Sequence, residues 1–458
     1  MATTTTATNP YKLDFKRILP IFVIVLVDLL GLTIIIPLLP LYAATFGADP
    51  LTIGMLGTAY PLMQLIGAPL LGGLSDRYGR KPVLLVSQFG TFAGFLLLGF
   101  ANALPLLFLS RLIDGISGAN IVAAQAAVTD STTETTRAQG LGLIGAAFGL
   151  GFTLGPAMAG IALAVSGNDY RVPALLAAGF SLLSIILTAV WFKETLPIEK
   201  RGQTPAKKSV NTINKIVQAL ANPAIGTLLL LMFMQQLVFG GFENLLPLFT
   251  LSRLGLNGSG NAVIFVFVGV ILVLVQGKYI GPWSRKYGER KLIYVGLGLL
   301  AVGLVLTAIT PSQPAPWYSQ TELLAEMKVG DTIHSEVTLK QIEVPLPEDG
   351  NNGWLGLAWI MVAMIPASIG GGILSPAINS LITRRVSGQD IGGTLGVSSA
   401  LVSLANAATP LIGGAIFQFI GSTAPFLIGG LVLAGLMGVA IQKITPGAEE
   451  KLTPAAAN

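Results

Sequence analysis

Four ionisable side chains stand where the chain is otherwise apolar. Asp28 lies in VDLLGLTIIIPLLP, Arg111 and Asp114 in SRLIDG, and Glu243 in FGGFENLLP. A charge at bilayer depth costs roughly 2.5–3.5 kcal/mol on insertion scales. Such groups persist where they line a wet cavity, pair with one another or carry a function. Arg111 and Asp114 are three apart and share one helix face, so they read either as a structural ion pair or as participants in proton or substrate coupling. Asp28 has no partner on its own segment. A lone carboxylate that is charged in a wet cavity and neutral in a closed one is what a proton carrier needs, and it could equally meet a substrate cation. Glu243 reads as a coupling group or as a polar contact in an outer vestibule. Gln235 and Gln236, deeper on the same segment, could line a path by hydrogen bonding.

Covalent and metal chemistry find little to work with. There is no cysteine and a single histidine, His334, so disulfides and thiolate sites are excluded and no metal or cofactor is expected. The sequence gives no reason to expect an enzyme.

The elements that position these charges follow from composition. Of 458 residues, 52% are hydrophobic and only 11% charged, with mean hydropathy +0.73. A soluble domain carries about 25% charge, so this chain lacks the polar surface to cover a body of its size in water. Continuous apolar runs of roughly 17–25 residues read as membrane-spanning helices, because lipid leaves only helices or closed barrels. Twelve spans fit: 18–42, 50–71, 82–100, 104–128, 139–163 and 172–192, then 224–250, 260–280, 291–310, 353–382, 392–416 and 424–442. The tenth is long enough to be expected to include turns. The expected fold is an all-α polytopic membrane protein of twelve helices in two six-helix halves. Residues 1–17 form a polar tail, 18–192 the first half, 193–223 a linker, 224–442 the second half and 443–458 a second tail. The linker has room for an amphipathic helix at Val210–Leu220 on the membrane surface.

Basic residues orient the chain. With the N-terminus inside, 22 Lys and Arg fall on inside segments and four, Arg171, Arg253, Lys328 and Lys340, outside. Short loops keep positive charge in the cytoplasm, which places both termini there, in a plasma or bacterial inner membrane. No basic face remains for nucleic acid. The expected partners are lipid, a small molecule and protons, with the monomer as functional unit. An acidic insertion at 311–352 falls outside, and its alternation over Ile333–Val344 suggests a hairpin.

The halves repeat each other. GGLSDRYGRK at 72–81 returns as GPWSRKYGER at 281–290, an offset of 209; Gly155-Pro156 is echoed by Thr409-Pro410 at an offset of 254. The change of offset is close to the length of the insertion. Duplicated halves that rock against each other are the means of alternating access. In the first copy Arg77, Arg80 and Lys81 serve as cytoplasmic anchors, whereas Asp76 needs another reason. It would pair with a nearby arginine or face a helix N-terminus across the boundary between halves, latching an inner gate. In the fifth span Gly145–Gly149 and Gly151–Gly155 are four apart, with Gly160 beyond and Pro156 bending the helix. This stripe is expected to pack closely and act as a barrier.

These motifs, in order, resemble the major facilitator superfamily, and within it the twelve-span drug:proton antiporters and their tetracycline-efflux group. Gly72, Asp76, Arg77, Gly79 and Arg80 resemble the loop motif between the second and third spans. Arg111 with Gly115 resembles the fourth-span arginine motif. Gly145, Gly149, Gly155, Pro156 and Gly160 resemble the fifth-span antiporter motif, and Asp28 through Pro37 and Pro40 the first-span pattern. The resemblance implies the major facilitator fold and export by proton antiport, with Arg111 assisting proton transfer, Asp28 shaping a central cavity and Asp76 in the latch. Tetracycline exporters add acids in the third and ninth spans and a histidine in the eighth; Pro82–Phe100 and Leu292–Thr310 carry no acid here. A transporter of a sugar, an organic anion or a siderophore is the alternative.

Overall fold

A computed structural model of the protein describes residues 14–133, 136–202, 212–328, 344–386 and 391–444. It is all helical. Among the described residues twelve helices are long and apolar enough to cross a membrane: Phe15–Ile35, Pro50–Tyr78, Arg80–Gly99, Leu104–Asp130, Gln139–Ser166, Arg171–Val190, Gly226–Leu254, Gly258–Tyr287, Glu289–Ala308, Leu355–Arg384, Thr394–Phe419 and Ala424–Lys443. They are called the first to twelfth spans below. The even number leaves both ends of the chain on one face, the terminal face, and the other is the far face.

Local sequence explains where the helices break. The first span ends at Ile35, and a turn leads to a short helix at Leu39–Thr45. The single helix expected over 18–42 is thus divided, because Pro37 and Pro40 withhold the N–H groups a continuous helix would use. Asp49 caps the second span, its carboxylate accepting the Thr52 N–H at 2.7 Å. The tenth span is one unbroken 30-residue helix with Pro366 and Pro376 inside it, so the turns expected there do not occur. A single π-helical turn, Val275–Tyr279, re-phases the eighth span. In the linker, where the expected helix is Val210–Leu220, Thr212–Ala221 is helical and packs against the seventh and eleventh spans, and Val210 lies outside the described residues. The insertion holds a helix, Gln320–Lys328, that periodicity did not announce. The hairpin expected over Ile333–Val344 lies outside the described residues except for Val344.

Each set of six spans packs within itself, and contact between the sets is concentrated in a few span pairs. The first span lies against the fifth and sixth, the third against the fourth and sixth, and the ninth against the tenth and twelfth. Across the seam two span pairs dominate, the second with the eleventh and the fifth with the eighth.

Candidate functional site

Among the described residues the seam is sealed only toward the far face. Pro410 of the eleventh span sits against Gly54 and Gly57, and Gly414 against the Pro50 carbonyl and Gly54. A turn further out, the Leu51 N–H donates to Gln418 Oε1 at 2.9 Å and Gln418 Nε2 donates to Asp49 Oδ2 at 3.3 Å. The fifth and eighth spans touch at Gly160 with Ala262, Leu163 with Gly258, and Thr153 Oγ1, which donates to the Gly269 carbonyl at 3.3 Å. Toward the terminal face these contacts stop. Space for a side chain is open there at Gly142, Gly145, Gly149, Gly277 and Gly396.

The glycine stripe therefore divides. Gly155 is pressed against Thr33 of the first span and Gly160 against Ala262, but Gly145 and Gly149 pack against nothing within 4 Å. Close packing expected along its whole length is found only in its far half, because there the seam is shut. Pro156 lies inside an uninterrupted helix between the two parts.

Between the halves lies a cavity of about 560 Å³. Asp28, Arg111, Asp114, Glu243 and Gln236 all line it. Arg111 and Asp114 form an ion pair of 3.1 Å, each at most 2% exposed, and the guanidinium lies 5.4 Å over the Phe95 ring. Asp28 Oδ2 accepts from Asn120 Nδ2 at 3.1 Å, while its buried Oδ1 has no hydrogen-bond partner among the described residues. Glu243 has no ion-pair or hydrogen-bond partner among the described residues, and it lines this central cavity rather than an outer vestibule. Gln236 Nε2 donates to Asn406 Oδ1 at 2.9 Å across the second half. Gln235 is 1% exposed and turned into the packing; it does not line the path expected of it.

Several lining residues carry no charge and escaped the sequence reading. Asn120 ends a 3₁₀ turn, Gly118–Asn120, that splits the fourth span and aims the amide at Asp28. Tyr60, Gln64, Asn244 and Asn406 also line the wall. Lone amides and hydroxyls are common in spans, so their types announced nothing; the GISGAN run inside an apolar segment was the available signal for Asn120.

At the terminal face the repeated motif builds two ion-pair clusters of opposite sign. Arg80 pairs with Asp76 at 2.5 Å and with Asp130 at 2.9 Å, and its Nη1 donates to Ser75 Oγ at 3.0 Å. In the second half Glu289 pairs with Arg384 at 2.8 Å and accepts from Ser284 Oγ at 2.8 Å and Ser380 Oγ at 3.1 Å. The offset of 209 carries Ser75 and Arg80 onto Ser284 and Glu289, and the offset of 254 carries Asp130 onto Arg384. The same fold position thus holds a buried cation in one half and a buried anion in the other. Of the two partners expected for Asp76, the nearby arginine is found, within its own half. Gly72 lies against Val122 of that half, and Arg77 is exposed, 5.3 Å over the Tyr78 ring. Gly79, at φ 110°, turns the chain where a β-carbon would strike the Glu194 carboxylate. Glu194 accepts the Arg80 and Lys81 N–H groups at 2.9 and 3.1 Å, so the linker closes off the third span's amino end. Among the described residues no acid–histidine cluster could hold a metal.

A membrane-length helix dozen, duplicated and joined by two span pairs around a largely apolar cavity set with ionisable side chains, agrees with the sequence profile that matches residues 21–327, that of the Major Facilitator Superfamily. The chain belongs to that superfamily. As a major facilitator protein it is an integral membrane secondary transporter of small molecules. It is 29% identical over 418 residues to the class B tetracycline resistance protein of Escherichia coli, covering 90% of this chain and 91% of that one. It is 24% identical to multidrug resistance protein 2 of Bacillus subtilis, covering 92% and 94%. Among solved structures, the human organic anion transporter MFSD10 superposes with a TM-score of 0.63 at 23% identity, over 94% of this chain and all of that one; this likeness speaks for the fold.

Proposed function

We propose that this major facilitator protein exports amphipathic small molecules by proton antiport through alternating access, within the drug-exporter branch to which the resistance proteins point. The observation that carries the reading is the pair of cavity carboxylates, Asp28 from the first half and Glu243 from the second, on opposite sides of a seam shut at one face only. The basic bias of the terminal face supports a cytoplasmic location for it, and the bacterial origin of the relatives favours a bacterial inner membrane.

In this cycle the substrate enters from the cytoplasm and settles between Asp28, Glu243 and the amide wall of Gln236, Asn244 and Asn406. The halves rock, the far face opens, and a proton taken up by Asp28 displaces the substrate. Asn120 holds that carboxyl in place by donating to one oxygen, which leaves the other to receive the proton. Return to the open terminal face releases the proton inward. Arg111 is tied to Asp114, so it holds the fourth span's charge balance and assists the proton's passage without offering a free cation. The half-exposed carboxylate of Asp76 and its pair with Arg80 belong to the terminal-face latch. One chain contains the whole cavity, so no second copy is needed. The membrane field supplies about 2.3 kcal/mol per charge per 100 mV.

Among the described lining residues no cation is left unpaired, which favours neutral or cationic compounds over the organic anions, sugars and siderophores of the alternative reading. Inside-out vesicles with an imposed pH gradient test the proposal: lipophilic quaternary ammonium cations, which protonation cannot trap, should accumulate and collapse the gradient only in vesicles that contain the protein. Gradient-independent uptake of the same compounds would refute proton antiport.

A further inference from the structure

The described parts of the insertion between the ninth and tenth spans, residues 311–328 and 344–352, are bonded to one another and to the second half. Ala315 N–H donates to the Leu254 carbonyl at 3.0 Å, and the Tyr318 ring fills the space beside Gly255, at the turn between the seventh and eighth spans. Tyr318 Oη donates to the Pro347 carbonyl at 2.8 Å, and Asn352 Nδ2 to the Tyr318 carbonyl at 2.6 Å, tying the insertion's two ends together. Leu323 of the helix Gln320–Lys328 is 5% exposed and belongs to the main core. That helix therefore has a fixed place, and it holds Glu326 over the seam.

Glu326 touches both halves. Its carboxylate accepts from Asn257 Nδ2 at 3.2 and 3.1 Å; Asn257 caps the eighth span through a bond from the Gly260 N–H at 3.0 Å. The same carboxylate accepts from Asn168 Nδ2, and Asn168 belongs to the first half, in the turn after the fifth span. Ser259 Oγ adds a second bridge by donating to Asn168 Oδ1 at 2.5 Å. Asn168 adopts a left-handed conformation, φ 64°, and its N–H is bound to the Leu163 carbonyl at 2.8 Å, so its amide is presented by a fixed turn rather than a loose one. These bonds sit directly above the contact of Gly258 with Leu163 that closes the fifth and eighth spans.

We infer that the insertion is a far-face clasp, in which Glu326 is a positioning residue that bridges Asn168 of one half and Asn257 of the other and favours the form open at the terminal face. The inference rests on the rocking of the halves and is independent of proton coupling and of the substrate. When the far face opens, Asn168 and Asn257 separate and one carboxylate cannot serve both. The clasp thereby sets the resting ratio of the two open forms and the rate of leaving the far-closed one.

The cysteine-free chain allows a direct test. Spin labels at Asn102→Cys and Ile420→Cys report the far face, and labels at Lys193→Cys and Gln442→Cys report the terminal face, read as pulsed-EPR distances without substrate. Glu326→Ala should move the ratio roughly tenfold toward the far-open form, the order expected for losing hydrogen bonds to a charged group. Glu326→Gln should fall between the two. Asn168→Ala placed on Glu326→Ala should add less than about twofold, because the two residues share one interaction. A ratio in Glu326→Ala within about twofold of the parent, or effects of the two substitutions that multiply, would overturn the clasp. If no pH or carried compound shifts the distances in any variant, it is the transport reading beneath it that fails.

Discussion

Gly414→Ala places one methyl group against atoms that cannot turn aside. The new carbon would meet the Pro50 carbonyl, with Gly54 Cα at 3.1 Å and Gly54 N at 3.3 Å, all backbone. Relief requires the second and eleventh spans to part at the far face, and such overpacking costs about 1–3 kcal/mol. One helical turn beyond, the bonds of Gln418 with Leu51 and Asp49 would stretch with them, at about 0.5–1.5 kcal/mol each. The terms overlap, so we expect a shift of about 2–4 kcal/mol against the far-closed form, or roughly 30- to 1,000-fold in its ratio to the far-open one. Neither half is strained internally, and thermal unfolding in detergent should move little. Far-face label distances measure the ratio. A ratio changed less than about threefold, or a lowered unfolding temperature at an unchanged ratio, would refute the idea that this seam is where the closed form is held.

Asp28→Asn keeps an oxygen to accept from Asn120, so the fold should lose no more than about 1 kcal/mol; pH-driven accumulation should disappear while substrate counterflow persists, and retained accumulation would remove Asp28 from coupling. In the second-half cluster the two partners should differ: Arg384→Ala leaves the 7%-exposed Glu289 side chain uncompensated and should cost about 3 kcal/mol or more, whereas Glu289→Ala frees a half-exposed arginine and should cost about 1–2 kcal/mol, both by thermal unfolding. Burial opposes ionisation of Asp49, but hydrogen bonds from Thr52 and Gln418 outweigh it and hold the carboxyl below its usual range. Only the Gln418 bond crosses the seam, so only its share of the lowering favours the far-closed form, in full above the ordinary carboxylate pKa and lost as pH falls through the lowered one; Gln418→Ala should flatten that pH dependence in the far-face label distances.

Span number and the repeat were legible because both are one-dimensional. A run of apolar residues needs no partner to declare itself in lipid, and a copied turn such as 72–81 is visible as a copy. The in-membrane charges were legible for a related reason: each is costly alone, so its presence marks a cavity or a pair, and Asp28, Arg111, Asp114 and Glu243 do share one cavity. Gln235 and Gln236 show the limit. They are neighbours of the same type, and only the helix rotation fixed by packing decides that Gln236 meets Asn406 while Gln235 is buried.

The amino-acid sequence by itself determined the membrane environment, the dozen helices, their duplicated plan and the residues too expensive to be there without cause. Tertiary structure alone decided which face of the seam is shut, that Gly155 is packed while Gly145 is not, and that Arg80 with Asp130 is answered by Glu289 with Arg384. It also placed Glu326 over both halves. The division has a physical cause. Transfer into lipid is a property of each segment on its own, whereas pairing and closure depend on distances between segments hundreds of residues apart, which the order of residues along a chain does not contain.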